Sequence, residues 1–199
     1  LRESARYVQL TSSSPVVSHR SAVVGESTTE SVTMKRIVLV RHVSSPHPTG
    51  VDDYDRPINA AGRRDAGLVA ERLVELDWVP ATVVSSGALR ARQTWEALET
   101  GLEGGFDVSY TDDLYRAGVD DICEVLWGLD DAVDEVMLFG HNPGFSRATS
   151  WLTGVRTQMP KGSAALVECD GESWSEAVQK NNCRLEEFIR PKALLSDVG

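Results

Sequence analysis

The stretch "RIVLVRHVSS", residues 36–45, runs four apolar residues, Ile37 to Val40, straight into Arg41 and His42. An unbroken run of branched aliphatic side chains reads as a strand covered on both faces, the situation of a strand inside a parallel sheet. Such a strand ending on Arg-His places a guanidinium and an imidazole at a carboxyl end, where open α/β sheets bind ligands. From Lys35 onward strand-like and helix-like segments alternate. This predicts an α/β fold of three layers, a mostly parallel central sheet flanked by helices.

The pattern predicts strands at 36–41, 81–84, 135–140 ("EVMLFG"), 164–169 and 184–190. Residues 44–58, with Pro46, Pro48, Gly50 and Pro57, read as a long loop. Asn59 is placed to cap a helix in which Ala66, Val69, Ala70, Leu73 and Leu76 recur at steps of three and four, ending near Trp78 and Pro80. Further helices are expected at 88–99, 119–128 and 144–153, and the segment between the last two strands is left unassigned. Gly101, Gly104 and Gly105 break the chain after the second helix.

The chain has 199 residues, 41% of them hydrophobic, which suits one α/β domain over 35–199. Its formal net charge of −10 argues against a surface built for nucleic-acid phosphates or an anionic membrane. Any anion site must therefore be a local cluster. Cys123, Cys169 and Cys183 are odd in number and widely spaced, so neither a disulfide framework nor a zinc site is expected, and a reducing intracellular compartment fits. Residues 1–34, rich in Ser, Thr and Val and poor in acids up to Gly25, read as a disordered leader or an organellar transit segment. The location expected is thus cytoplasmic, or organellar if the leader is a transit segment.

Three strand ends carry suitable chemistry. The first delivers Arg41 and His42; the second delivers Ser85 and Ser86, then Arg90 and Arg92 in a helix; the strand at 135–140 delivers His141 and Asn142. Singly, a buried histidine is more often a hydrogen-bonded core residue, and helix arginines are usually solvated. The combination is what points to a phosphate site.

"LVRH" at 39–42, "SSGALRARQT" at 85–94 and "FGHNPG" at 139–144 resemble the histidine phosphatase superfamily, the phosphoglycerate mutase-like fold. The nearest likeness is to its SixA-like phosphohistidine phosphatase branch, which "DYDRPINAAGRRDA" at 53–66 and "RLEEFIRPKAL" at 184–194 also resemble. The resemblance spans Lys35 to Leu194. It implies that His42 accepts the phosphoryl group, that Arg41 and Arg90 bind its oxygens, and that His141 is the second histidine of the pocket. Ser44 and Asn142 are expected to add substrate contacts. No metal or cofactor is implied, and the partner expected is a phosphorylated protein or small-molecule phosphate.

The chemistry agrees with these roles. Phosphoryl transfer spreads negative charge over three oxygens, which two guanidinium forks and a donor imidazole stabilise. The attacking imidazole needs one free nitrogen, its other nitrogen held by an acceptor such as a carbonyl in the loop after His42. His141 is expected to be cationic beside bound phosphate. Arg92, two positions after Arg90, falls on another helix face and reads as structural.

Relatives that cleave alkyl phosphates usually carry a carboxylic acid in an L-x-E pattern after the second strand. Here "DDLYRAG" at 112–118 sets Arg116 in the acid's place. An alkoxide needs that proton, whereas a protonated phosphohistidine nitrogen leaves as neutral imidazole of pKa about 6.5. A phosphoglycerate mutase activity is disfavoured on the same ground. Asp112, Asp113, Asp120 and Asp121 read as a solvated turn and a helix start. Asp55 and Arg56 read as loop organisers, with Arg56 paired to an acid, and His47 as an exposed loop residue within reach of the cleft. Val43 stands where the family usually has Gly or another small residue, which keeps open a second class: a catalytically weak module that binds phosphorylated ligands.

Overall fold

A computed structural model describes residues 34–194. Six strands form one sheet in the order β3-β2-β4-β1-β5-β6. These are β1 (Met34–Arg41), β2 (Thr82–Ser86), β3 (Asp107–Thr111), β4 (Glu135–Gly140), β5 (Ala164–Asp170) and β6 (Cys183–Ile189). Pairings β1–β4, β2–β4 and β2–β3 are parallel; β1–β5 and β5–β6 are antiparallel. This is the expected three-layer α/β architecture.

Side-chain alternation along the central strands builds both cores. Ile37 and Leu39 of β1, with Val136 and Leu138 of β4, pack beneath α3 (Val119–Trp127), α4 (Gly144–Thr153) and the single turn α5 (Trp174–Ala177). Val38 and Val40, with Met137 and Phe139, face α1 (Ala60–Glu75) and α2 (Leu89–Glu99). A strand that feeds two cores has no polar face to spare, which is why 37–40 and 136–139 read as continuous apolar runs. On α1 the buried positions are Gly62, Ala66, Val69, Ala70 and Leu73, and Asn59 caps it by accepting a hydrogen bond from the Gly62 N–H.

Three elements escaped the sequence pattern. Strand β3 lies at the sheet edge and, as DVSYT, offers one aliphatic residue and a mostly exposed surface, so no apolar signal marks it. The short helices α5 and α6 (Pro191–Leu194) span four residues each, too few for a period to show. The cysteine expectation is corrected: Cys169 and Cys183 face each other across β5 and β6 and form a disulfide, leaving Cys123 free and buried. Their wide spacing hid the pairing because it is the antiparallel register that brings them together. The leader expected over 1–34 lies, Met34 apart, outside the described residues. Among those residues no helix is long and apolar enough to cross a membrane.

Candidate active site

The ladder between β1 and β4 sets the centre. Arg41 pairs with Gly140 in parallel register, so the next residues on both strands, His42 and His141, emerge side by side, and the His42 N–H donates to the Gly140 carbonyl. Their ring centroids lie 5.1 Å apart. Strand β2 pairs with the other edge of β4 through Ser85 and Phe139, which brings Ser86 level with the same end. Beyond this end lies a cavity of about 360 Å³ lined by Arg41, His42, Arg90, His141 and Asn142 together with His47, Asp53, Arg56, Arg116 and Lys161. Arg41, His42, Arg90 and His141 thus share one cavity. Ser44 does not line it. It faces a neighbouring cavity and accepts a hydrogen bond from the Asn59 side-chain amide, a correction to the contact expected of it.

The His42 Nδ1 lies 2.8 Å from the Val43 carbonyl. A carbonyl only accepts, so Nδ1 carries the proton and Nε2 keeps its lone pair. Burial, with the charges of Arg90 and Arg41 nearby, pushes the His42 pKa down to about 3 despite that hydrogen bond. The imidazole is therefore neutral near pH 7 and poised to attack through Nε2. His141 is likewise pushed down to about 3, by burial and then by Arg90, against the pull of Asp53. Its Nε2 lies 2.9 Å from the Ser86 hydroxyl, while its Nδ1 is buried and finds no partner. If Ser86 donates to Nε2, Nδ1 carries the N–H that an oxyanion needs. An anion in the cavity would raise the His141 pKa.

Replacing Ser86 with alanine should lower kcat/KM roughly tenfold by freeing this ring, the worth of one buried hydrogen bond of about 1.4 kcal/mol. Steady-state kinetics alongside urea unfolding would check that the loss lies in turnover and not in folding.

Both histidines also make folding pH-dependent. Their folded pKa values, about 3, lie below the ordinary 6.5, so between pH 6.5 and 3 the unfolded chain binds protons that the folded chain refuses. Stability should fall as pH drops through that window. A series of urea midpoints from pH 7 to 4 should show the decline, and it should be shallower in His141→Gln.

Sequence reasoning missed how Asp53 organises the pocket. Its carboxylate accepts from Arg56 Nε (2.9 Å), Arg90 Nη2 (3.0 Å) and the Tyr115 hydroxyl (2.9 Å), and Arg90 Nη1 donates to its backbone carbonyl. Burial alone would raise its pKa, but the Tyr115 hydrogen bond and the Arg90 and Arg56 charges hold it at about 2. Arg56, expected as a loop organiser paired with an acid, has that pairing and also lines the cavity. His47 is exposed on the rim, its Nδ1 3.5 Å from Arg56 Nη1. Arg116, the residue in the acid's place, also lines the cavity, from a left-handed backbone conformation (φ 58°). Its neighbours Asp112, Asp113, Asp120 and Asp121 do not. Asp112 accepts from the Tyr54 hydroxyl, Asp113 from Thr111, and Asp121 from the Gly118 N–H. Arg92 stacks over Tyr110, away from this cavity. The result is five cationic side chains, Arg41, Arg56, Arg90, Arg116 and Lys161, around one carboxylate, on a chain whose formal net charge is −10.

The supporting contacts fix the arginines. Arg41 Nη1 (2.7 Å) and the Asn142 amide (2.9 Å) both donate to the Met159 carbonyl, so Asn142 lines the cavity with its amide already engaged. Thr94 Oγ1 accepts from the Val43 N–H and donates to the Arg90 carbonyl, coupling the loop after His42 to helix α2. Val43 itself is 1% exposed, with its side chain in the core under α1. A Cβ at Gly62 would lie 2.7 Å from both a Val43 methyl and the Ser44 carbonyl, so the glycine makes the room that the valine occupies. The expectation that Val43 adds bulk beside the phosphate cradle is corrected, and with it the motive for reading the chain as a weak binding module.

A pocket that joins a free imidazole nitrogen to several guanidinium groups is suited to a phosphate group. Residues 37–116 match the family model for the histidine phosphatase superfamily (branch 1). The chain is 31% identical over 153 residues to an uncharacterized chloroplastic protein of Arabidopsis thaliana, spanning 72% of this chain and 70% of the relative. Two solved structures described as proposed phosphohistidine phosphatases SixA are similar throughout the fold. That from Nakamurella multipartitia has a TM-score of 0.68 at 27% identity, covering 79% of this chain and 96% of the other. That from Agrobacterium tumefaciens has a TM-score of 0.66 at 25% identity, covering 79% and 98%. The chain belongs to the histidine phosphatase superfamily, and its fold is the phosphoglycerate mutase-like fold of these SixA neighbours.

Proposed function

We propose that the protein is a phosphatase working through a phosphohistidine on His42, acting on phosphoramidates such as phosphohistidine or on small phosphorylated compounds with good leaving groups. In the first step His42 Nε2 bonds to phosphorus while the bond to the leaving atom breaks; the leaving atom keeps the electron pair, a nitrogen already protonated from solvent departing as the neutral amine or imidazole and a weakly basic oxygen as its anion. In the second, water attacks phosphorus, the P–N bond breaks, its electrons return to Nε2, and inorganic phosphate departs. Arg41, Arg90 and Arg56 neutralise the equatorial oxygens, and His141, protonated as the dianion enters, donates from Nδ1. No role falls to a metal or cofactor in this scheme.

The observation that carries the substrate class is the carboxylate inventory. Among the described residues lining the cavity Asp53 is the one carboxylate, and at a pKa of about 2 it holds no proton to give. No carboxylic acid therefore stands ready to protonate a departing alkoxide, while the nitrogen of a phosphoramidate can leave already protonated. Turnover of phosphoramidate should therefore exceed that of glycerol phosphate by about 100-fold or more, the usual worth of a general acid. Comparable rates on both would defeat this choice of substrate. Delivery to an organelle, in keeping with the chloroplastic relative from Arabidopsis, belongs to the same proposal.

A further inference from the structure

A second cavity, about 610 Å³, lies beside the first and shares Lys161 with it as a common wall. Ala61, Pro160 and Pro191 give it apolar sides, and Lys161 and Arg190 stand on its lining with Lys192. Its one carboxylate, Asp65, feels the opposing charges of Lys192 and Arg64. The elements around it are the first turns of α1, the loop before β5, and the end of β6 with α6. Lys161 apart, none of the side chains lining it lines the phosphoryl site.

We propose that this cavity binds the leaving half of the substrate, and that this half is a small organic group carrying a carboxylate or a comparable second anion. The inference rests on the phosphatase reading of the adjoining site. Three features support it. The two cavities adjoin at Lys161, the side chain they share, which sets the larger one directly beside the phosphoryl site. The larger volume falls in the range that encloses small ligands. Cations outnumber the single carboxylate although the chain as a whole is acidic, so the walls complement an anion set on an apolar body.

Three aryl phosphates of similar leaving-group basicity test this at 0.15 M salt: phenyl phosphate, 4-(2-carboxyethyl)phenyl phosphate and the methyl ester of the latter. The free acid should exceed its ester by about tenfold in kcat/KM, mainly through KM, as one charge-assisted contact provides. In Arg190→Gln that ratio should fall toward one. In Ala61→Phe, which fills the cavity, both extended compounds should lose ground to phenyl phosphate. Because each reading is a ratio within one variant, a general loss of folded protein cancels. Equal turnover of acid and ester by the unaltered protein, or a ratio that survives Arg190→Gln, overturns the subsite and leaves the phosphatase intact. A phosphohistidine peptide turned over faster than all three, with the acid and ester alike, assigns the substrate to polypeptides and also overturns it. Failure to hydrolyse any of the probes or the peptide removes the phosphatase reading itself.

Discussion

His42→Ala should abolish the covalent intermediate and lower turnover by about 10⁴-fold or more, the scale on which removing a nucleophile acts. The expectation follows from one hydrogen bond. The Val43 carbonyl takes the Nδ1 proton, which commits Nε2 to the cavity as a free base, and the low pKa keeps it so. Neither other imidazole lining the cavity has its tautomer fixed by a carbonyl: His141 Nε2 faces the Ser86 hydroxyl, and His47 sits exposed on the rim beside Arg56. Incubation with labelled phosphoramidate followed by quenching in base should leave acid-labile, base-stable label on the protein. The label should be absent from His42→Ala and present, with slower turnover, in His141→Gln. Label retained by His42→Ala would assign the nucleophile elsewhere.

The second large effect is expected at Arg90. Its guanidinium is buried, donates to both the backbone and the carboxylate of Asp53, and lies over the Tyr115 ring. Arg90→Ala should cost 10²–10³-fold in kcat/KM, approximately what one preorganised oxyanion donor contributes. Arg90→Lys should recover little, because an ammonium cannot hold the Asp53 carboxylate and a phosphoryl oxygen at once with the geometry of a planar fork. Removing Arg90 also frees Asp53 from one of the charges that keep its pKa near 2. The double variant Arg90→Ala with Asp53→Asn should therefore lose much less than the sum of the two single losses, and a double-mutant cycle on kcat/KM would measure that coupling. Additive losses would mean that Asp53 does not act through Arg90.

How much of this could be read from the chain follows from where each signal resides. The strands at 37–40 and 136–139 announced themselves because they feed two cores, and the motifs around Arg41, Arg90 and His141 stood at their ends. The partner of His42 Nδ1 was foreseeable, since a buried imidazole needs an acceptor and the adjoining loop has carbonyls. The Asp53 hub was not, because it joins residues 53, 56, 90 and 115 through a loop whose path no periodicity describes. Val43 misled for a related reason: its effect depends on Gly62 across the α1 interface, and a single sequence does not say which side chains meet. The disulfide was hidden in the same way, by a register between two strands.

The pairing of Arg41 with Gly140 has a wider consequence. The gap between the two imidazoles is set by a backbone ladder and not by the loops that follow, so it should be indifferent to what those loops contain. Residues 44–58 and 112–118 can then vary around Asp53, Arg56 and Tyr115 while the reacting pair keeps its spacing. One scaffold of this kind can acquire new substrates by altering the rest of its rim.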